Sequence, residues 1–253
     1  MANIISFYSY KGGVGRSMLL ANVAVVLAQR KRRVVCIDFD LEAGGLHTIF
    51  GIEPKDIRST TLDLLLANGA ATEALDLSAR LAPGSFLRLL PTVSEIALVN
   101  AVFNNFQDLP TRLDGIIRDL DTLYAPDYVL IDSRAGFAEF AAPPLALAQQ
   151  LVCVLRPNRQ NVDGVRTLLD LLAPLRRPPQ QVLIVVSQVP ELPQTREVLR
   201  HLATALGPGR NFKCEIPLAL ELALEERLAV LEMPESRLAA SYSRVADLLE
   251  RPQ

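Results

Sequence analysis

Cysteine and histidine are scarce in this chain: three cysteines and two histidines among 253 residues. Cys36, Cys153 and Cys214 each sit in a short apolar run. An odd number without metal-like spacing reads as buried thiols in a reducing compartment, not as a disulfide framework. His47 and His201 stand far apart with no Cys or His at ligand spacing, so no zinc site is expected. An excess of one charge is lacking too. The formal net charge of −2 argues against a chain whose main business is coating nucleic acid or an anionic membrane. The longest apolar stretches, such as Met18–Ala28, fall short of the roughly 20 residues a spanning helix needs. No basic region followed by an apolar stretch and a cleavage site opens the sequence. The expectation is a soluble, cytoplasmic protein.

What is there is an ordinary globular balance, 50% apolar and 21% charged, in a length that suits one α/β domain over 1–253. Short β-branched runs alternate with longer helical patterns. Asn3–Ser9, Val34–Asp38, Phe86–Leu90, Tyr128–Ser133, Leu151–Arg156, Val182–Ser187 and Phe212–Ile216 read as strands. Their apolar runs are continuous, as in strands buried on both faces. Arg16–Arg30, Leu109–Tyr124, Asn161–Ala173, Thr195–Leu206 and Ser236–Glu250 read as helices, and Gly51–Ala82 as a further helical region. The alternation implies βαβ units: a single α/β domain with a mostly parallel twisted sheet and helices on both faces. Ligands of such sheets bind beyond the carboxyl ends of the strands.

After the first strand comes Tyr10-Lys11-Gly12-Gly13-Val14-Gly15-Arg16-Ser17, running into an apolar helix from Met18 onward. Glycines let the backbone curl so that successive N–H groups face one point, and the helix N-terminus adds partial positive charge. A polyphosphate satisfies these donors together. Ser17 is placed to ligate Mg²⁺, and the cation at position 16 to reach the outer phosphates. The pattern departs from a strict Walker A sequence twice. Tyr10 fills the first glycine position, and Arg16 stands for the usual lysine, with a forked guanidinium instead of a point charge.

Acids follow two other strands. Asp38 and Asp40 end the second, close to the phosphate loop in such a fold, or else they cap the helix that follows. Asp132 ends the apolar run Tyr128–Ile131, the Walker B arrangement in which an acid holds Mg²⁺ through a water.

Lys11 ahead of the double glycine gives KGGVG followed by a cation and a hydroxyl residue, which is similar to the deviant Walker A motif of MinD/ParA-type P-loop ATPases. Asp38-Phe39-Asp40, Asp132-Ser133-Arg134-Ala135-Gly136 and Ile216-Pro217 extend the likeness over most of the chain. The resemblance implies an ATP-dependent homodimer in which Lys11 crosses to the partner's phosphates. It implies that Asp40 orients the attacking water, that Asp38 lies near the magnesium shell, and that Gly12 through Met18 hold the nucleotide. Ala135-Gly136 would approach the γ-phosphate. Arg134 would contact phosphate or the partner subunit, or stand as a surface side chain. Pro157 and Pro217 match places that flank base and ribose, and Ser187 stands where many relatives place an adenine-reading asparagine.

The expected function is therefore an ATP-binding, slowly hydrolysing dimeric switch that recruits or positions a partner protein, with Mg²⁺. The alternatives are a nucleotide-sensing scaffold without turnover and, further off, a dethiobiotin-synthetase-like ligase. Nitrogenase-type reductases need an interface cysteine pair that this sequence does not place after the Walker B glycine. Leu238, Tyr242, Val245, Leu248 and Leu249 in the last helix are spaced for core packing, so no direct membrane anchor is expected. Nonspecific DNA binding is a lesser alternative, resting on Arg30-Lys31-Arg32-Arg33 and on Arg196, Arg200, Arg210 and Lys213, although such runs are usually solvated turns.

Overall fold

The computed structural model describes residues 2–66, 73–104, 106–136, 141–174, 178–220 and 227–251. In chain order the elements are β1 (Asn3–Tyr8), α1 (Arg16–Gln29), β2 (Arg33–Phe39), α2 (Leu46–Ile49), α3 (Thr61–Leu66), β3 (Leu75–Asp76), β4 (Phe86–Leu90), α4 (Ile96–Asn104) and α5 (Leu109–Tyr124). They continue with β5 (Tyr128–Ser133), α6 (Ala142–Leu147), β6 (Gln150–Leu155), α7 (Arg159–Leu172), β7 (Gln181–Val189), α8 (Thr195–Ala205), β8 (Phe212–Pro217), α9 (Ala229–Glu232) and α10 (Arg237–Glu250). One eight-stranded sheet runs in the order β3-β4-β2-β5-β1-β6-β7-β8. Every pairing is parallel except the short β3 against β4. The α/β class and mostly parallel sheet expected from the sequence are what the chain adopts.

Successive strand residues point to opposite faces, and both faces are covered. Val34 and Cys36 of β2 pack with α1 and α10 on one face. Val35, Ile37 and Phe39 pack with α3, α4 and α5 on the other. Farther along that second face, Cys153 and Leu155 of β6 meet α7 and α8. Two-sided burial is why these strands are apolar throughout. Helix α1 is buried continuously from Leu19 to Ala28, which accounts for its having no polar stripe. Helix α10 buries Leu238, Tyr242, Val245 and Leu249, the core spacing expected, and Ser236 caps it by accepting from the Ala239 N–H at 3.1 Å.

The Gly51–Ala82 expectation needs correction. Only α3 is α-helical there; the rest of its described part holds short 3₁₀ turns and the antiparallel strand β3, while residues 67–72 lie outside the described residues. The cation run at the start of β2 is engaged in structure at the amino end of the sheet, away from the loops that follow the strands. Arg30 and Arg32 pair with Glu250 at 2.8 and 2.7 Å, and Arg33 stacks 3.8 Å from the Phe86 ring centroid. Arg196 and Arg210 pair with Glu215 and Asp170. Among the described residues no helix is long and apolar enough to cross a membrane.

Candidate nucleotide site

β1 lies between β5 and β6, so its carboxyl end opens where the chain's crossovers diverge, the usual ligand crevice of such sheets. The loop after it enters α1 through Gly15, whose φ of 83° is left-handed. A Cβ in that region costs conformational energy, so glycine is the fitting residue. The N–H groups of Gly12, Gly13, Val14 and Gly15 donate to no protein acceptor among the described residues, leaving a cluster of free donors at a helix N-terminus.

The carbonyls of this loop, by contrast, are held. Arg156 donates to the Gly13 oxygen at 2.7 Å and Gln188 Nε2 to the same oxygen at 3.1 Å. The Ser187 hydroxyl donates to the Val14 oxygen. Gln188 itself has a φ of 53° at a register irregularity between β7 and β8. A non-glycine residue held there is strained, a condition common at working sites. Arg156 and Gln188 were not foreseen as loop supports, because nothing local in sequence marks a residue that grips a carbonyl more than a hundred positions away. Ser187, expected at the base, backs the phosphate loop through this bond.

Arg16 is the centre of the site. Its Nη2 meets Asp40 Oδ2 at 3.0 Å and its Nε donates to Asp132 Oδ1, with Ser9 Oγ 3.4 Å from Nη1. Arg16, Asp40 and Asp132 are 7%, 16% and 1% exposed. Burial lowers the affinity of the guanidinium for its proton, yet the two carboxylates more than offset this and the proton is held more tightly than usual. Burial raises Asp132, while Arg16 and the Ser17 hydroxyl pull it back toward ionisation. The guanidinium thus lies across the two acids.

Asp38 and Asp132 are register partners on adjacent strands. Asp38 is fully buried; burial and the Asp132 charge push its carboxyl well above the usual range, against the pull of two backbone N–H groups. Those are Leu46 at 3.0 Å and Asp40 at 3.2 Å, one on each oxygen. Asp38 thus holds the turn that enters α2 through the Leu46 N–H, and stands beside Asp132 on the adjacent strand.

Asp132 Oδ2 is the candidate cation ligand. It is buried and makes no hydrogen bond of good geometry, with Ser17 as its neighbour. A buried carboxylate oxygen left unpaired is costly, and a divalent ion would satisfy it. Among the described residues no three His, Cys, Asp or Glu side chains converge on a metal position. That suits Mg²⁺, which is commonly held by one or two protein oxygens together with phosphates and water.

The remaining expected residues are less concentrated. Pro157 precedes Asn158, whose side chain caps α7 by accepting from the Asn161 N–H at 3.0 Å. Pro217 ends β8 and lines a cleft of about 310 Å³ with Val189, Leu192 and Thr195. Met18 is partly buried against the α1 face of the core. Lys11 is exposed. Arg134 pairs with Glu42, joining the loop after β5 to the loop after β2.

A family model described as an AAA domain matches residues 2–184. The septum site-determining protein MinD of Thermotoga maritima is 27% identical over 188 residues, covering 74% of this chain and 65% of that protein. Among solved structures, MinD of Pyrococcus horikoshii complexed with Mg-ADP superposes with a TM-score of 0.78 at 22% identity, covering 99% of this chain and 97% of that one. The MinC:MinD cell division complex of Aquifex aeolicus gives 0.73 at 22% identity, covering 100% and 98%.

Proposed function

Since this chain belongs to the AAA-domain family, among the P-loop ATPases of MinD/ParA type, we propose that it is an ATP-binding, slowly hydrolysing switch that dimerises on Mg-ATP and recruits or positions a partner protein. The observation that carries this reading is the convergence of Arg16, Asp40 and Asp132 beneath a loop of free N–H donors. Positive charge, acids and donors meet at one point beyond the strand ends, which is the equipment of phosphoryl transfer to water.

The residues divide the work. Gly12 to Gly15 and the first turn of α1 cradle the phosphates, with Met18 behind them. Ser17 and Asp132, with Asp38 beside them, would hold Mg²⁺, which would neutralise charge on the outer phosphates. Asp40, once released by Arg16, orients the attacking water, and Arg16 turns its fork to the phosphate oxygens. Lys11 crosses to the partner's phosphates. Pro157 and Pro217 flank the base, and Ser187 supports the loop from behind.

The test is solution mass by light scattering with Mg-ATP and with Mg-ADP, on wild type, Lys11→Ala and Asp40→Ala. The switch requires a dimer with ATP, a monomer with ADP, no dimer for Lys11→Ala, and a long-lived dimer without turnover for Asp40→Ala. One mass in both nucleotides would overturn it.

A second reading, a nucleotide sensor without turnover, draws on the same ion pairs, since Arg16 occupies both acids at once. Mg²⁺-dependent hydrolysis that is lost in Asp40→Ala would eliminate it.

A further inference from the structure

Tyr10 occupies the position where a strict phosphate loop has glycine, and the space its ring needs is made elsewhere. Gly164 lies buried inside α7, where glycine is a destabilising choice in a helix interior. A Cβ there would overlap the Tyr10 ring, with Cδ2 only 2.6 Å away. The missing methyl is therefore the seat of the ring. Over the same ring, the Lys11 ammonium stands 5.4 Å from the centroid, within the range of a cation–π contact. Lys11 forms no ion pair among the described residues.

We infer that Tyr10 is a positioning residue: seated on α7 through Gly164, it holds Lys11 in place for the partner subunit's phosphates. This rests on the role proposed above for Lys11. A lysine has four side-chain rotors to immobilise when it reaches a ligand. Restricting them in advance lowers the cost of association. An exposed cation–π contact corresponds to about a two- to five-fold preference for the held arrangement. A two-fold dimer uses the contact twice, so the association constant should reflect roughly the square, about 5- to 30-fold. The loop-to-α7 contact also ties phosphate-loop geometry to a helix that begins just after Pro157.

The experiment measures the Mg-ATP dimer association constant by light scattering, with ADP affinity by calorimetry on the same samples. Tyr10→Phe keeps the ring and should dimerise more tightly than any variant that lacks it. Tyr10→Leu keeps apolar bulk without the quadrupole and should weaken dimerisation about 5- to 30-fold, more than it weakens ADP affinity. Gly164→Ala should weaken dimerisation in the presence of Tyr10 and not weaken it further in the Tyr10→Ala background, because the overlap it creates is with the ring. Equal losses in dimerisation and ADP affinity for Tyr10→Leu would overturn the inference, assigning Tyr10 to general loop shape. So would a wild-type association constant for Tyr10→Leu while Lys11→Ala is monomeric. If Lys11→Ala itself dimerises, the cross-subunit lysine fails first and this inference falls with it.

Discussion

Replacing Arg16 by alanine should destabilise the nucleotide-free protein by about 3–5 kcal/mol, the cost of breaking a buried ion pair by removing one partner. The magnitude follows from the burial. Asp132 is 1% exposed and its Oδ2 already lacks a partner, so without Arg16 neither of its oxygens has a cation. Asp40, at 16% exposed, can recover some hydration and contributes less. For a chain of this size the loss corresponds to a fall in Tm of about 6–20 °C. The assay is denaturant unfolding without nucleotide, because a ligand bound to the folded state would add its own stabilisation. Arg16→Lys should fall between the two, since a point charge cannot span Ser9, Asp40 and Asp132 as the fork does. The pH sign is fixed as well. In Arg16→Ala the Asp132 carboxyl rises further, having lost its cation, so protonation at lower pH removes the unpaired charge. The deficit is therefore largest near neutral pH and narrows as pH falls through that raised pKa. A deficit below about 1 kcal/mol at neutral pH would refute the reasoning, because only an exposed pair is worth so little.

Two further outcomes follow from charges and thiols away from the site. Burial pulls Glu250 upward, but Arg32 and Arg30 outweigh it and hold its carboxyl below the usual range. The stability it contributes is thus present above the ordinary carboxylate pKa and lost as pH falls through the lowered one. Glu250→Gln should cost about 1 kcal/mol at pH 7, and the difference should vanish in acid and shrink in high salt; thermal melts across pH check this, and a deficit that persists in acid would contradict it. Cys36, Cys153 and Cys214 are all buried and free, and burial pushes Cys153 up to about 12 and raises the other two. A chromogenic disulfide reagent should titrate none of them in the native protein and all three in denaturant, whereas rapid native reaction would mean that the covering helices open easily.

The sheet was legible because both of its faces are covered. A strand such as Tyr128–Ser133 shows a short apolar run, Val129 to Ile131, before its buried polar end, and its length separates it from the longer apolar run of α1. Strand β3 has two residues, too few for any periodicity. Helix α4 escaped for the opposite reason: its sequence IALVNAVFN is apolar on both sides, with Ile96 82% exposed and Val102 1% exposed, so no polar face marks the period. The phosphate loop was legible because glycine, cation and hydroxyl residues are adjacent in sequence. What sequence could not show is the direction of Arg16, since its two acids lie 24 and 116 positions away, nor which of two aspartates faces the backbone.

That partition of Asp38 and Asp40 has a mechanical consequence. Asp38, fixed by Leu46 and Asp40 N–H groups, also has its carbonyl oxygen accepting the Thr92 hydroxyl at 2.7 Å. Ser94 donates to the Leu41 carbonyl at 3.3 Å, and Arg134 joins Glu42. The Gly136 N–H donates to the Ser9 carbonyl at 2.9 Å, and Ser9 in turn lies against Arg16. The loops after β1, β2, β4 and β5 are therefore connected in series at the carboxyl edge of the sheet. Coupling through contacts requires an element with two arrangements; Arg16 holds the two acids in this ring, and in the reading proposed above it would turn to phosphate oxygens. In that reading, moving the fork would release Asp40 and Asp132 together, so one side chain would change the charge balance of the loops after β2 and β5 at once.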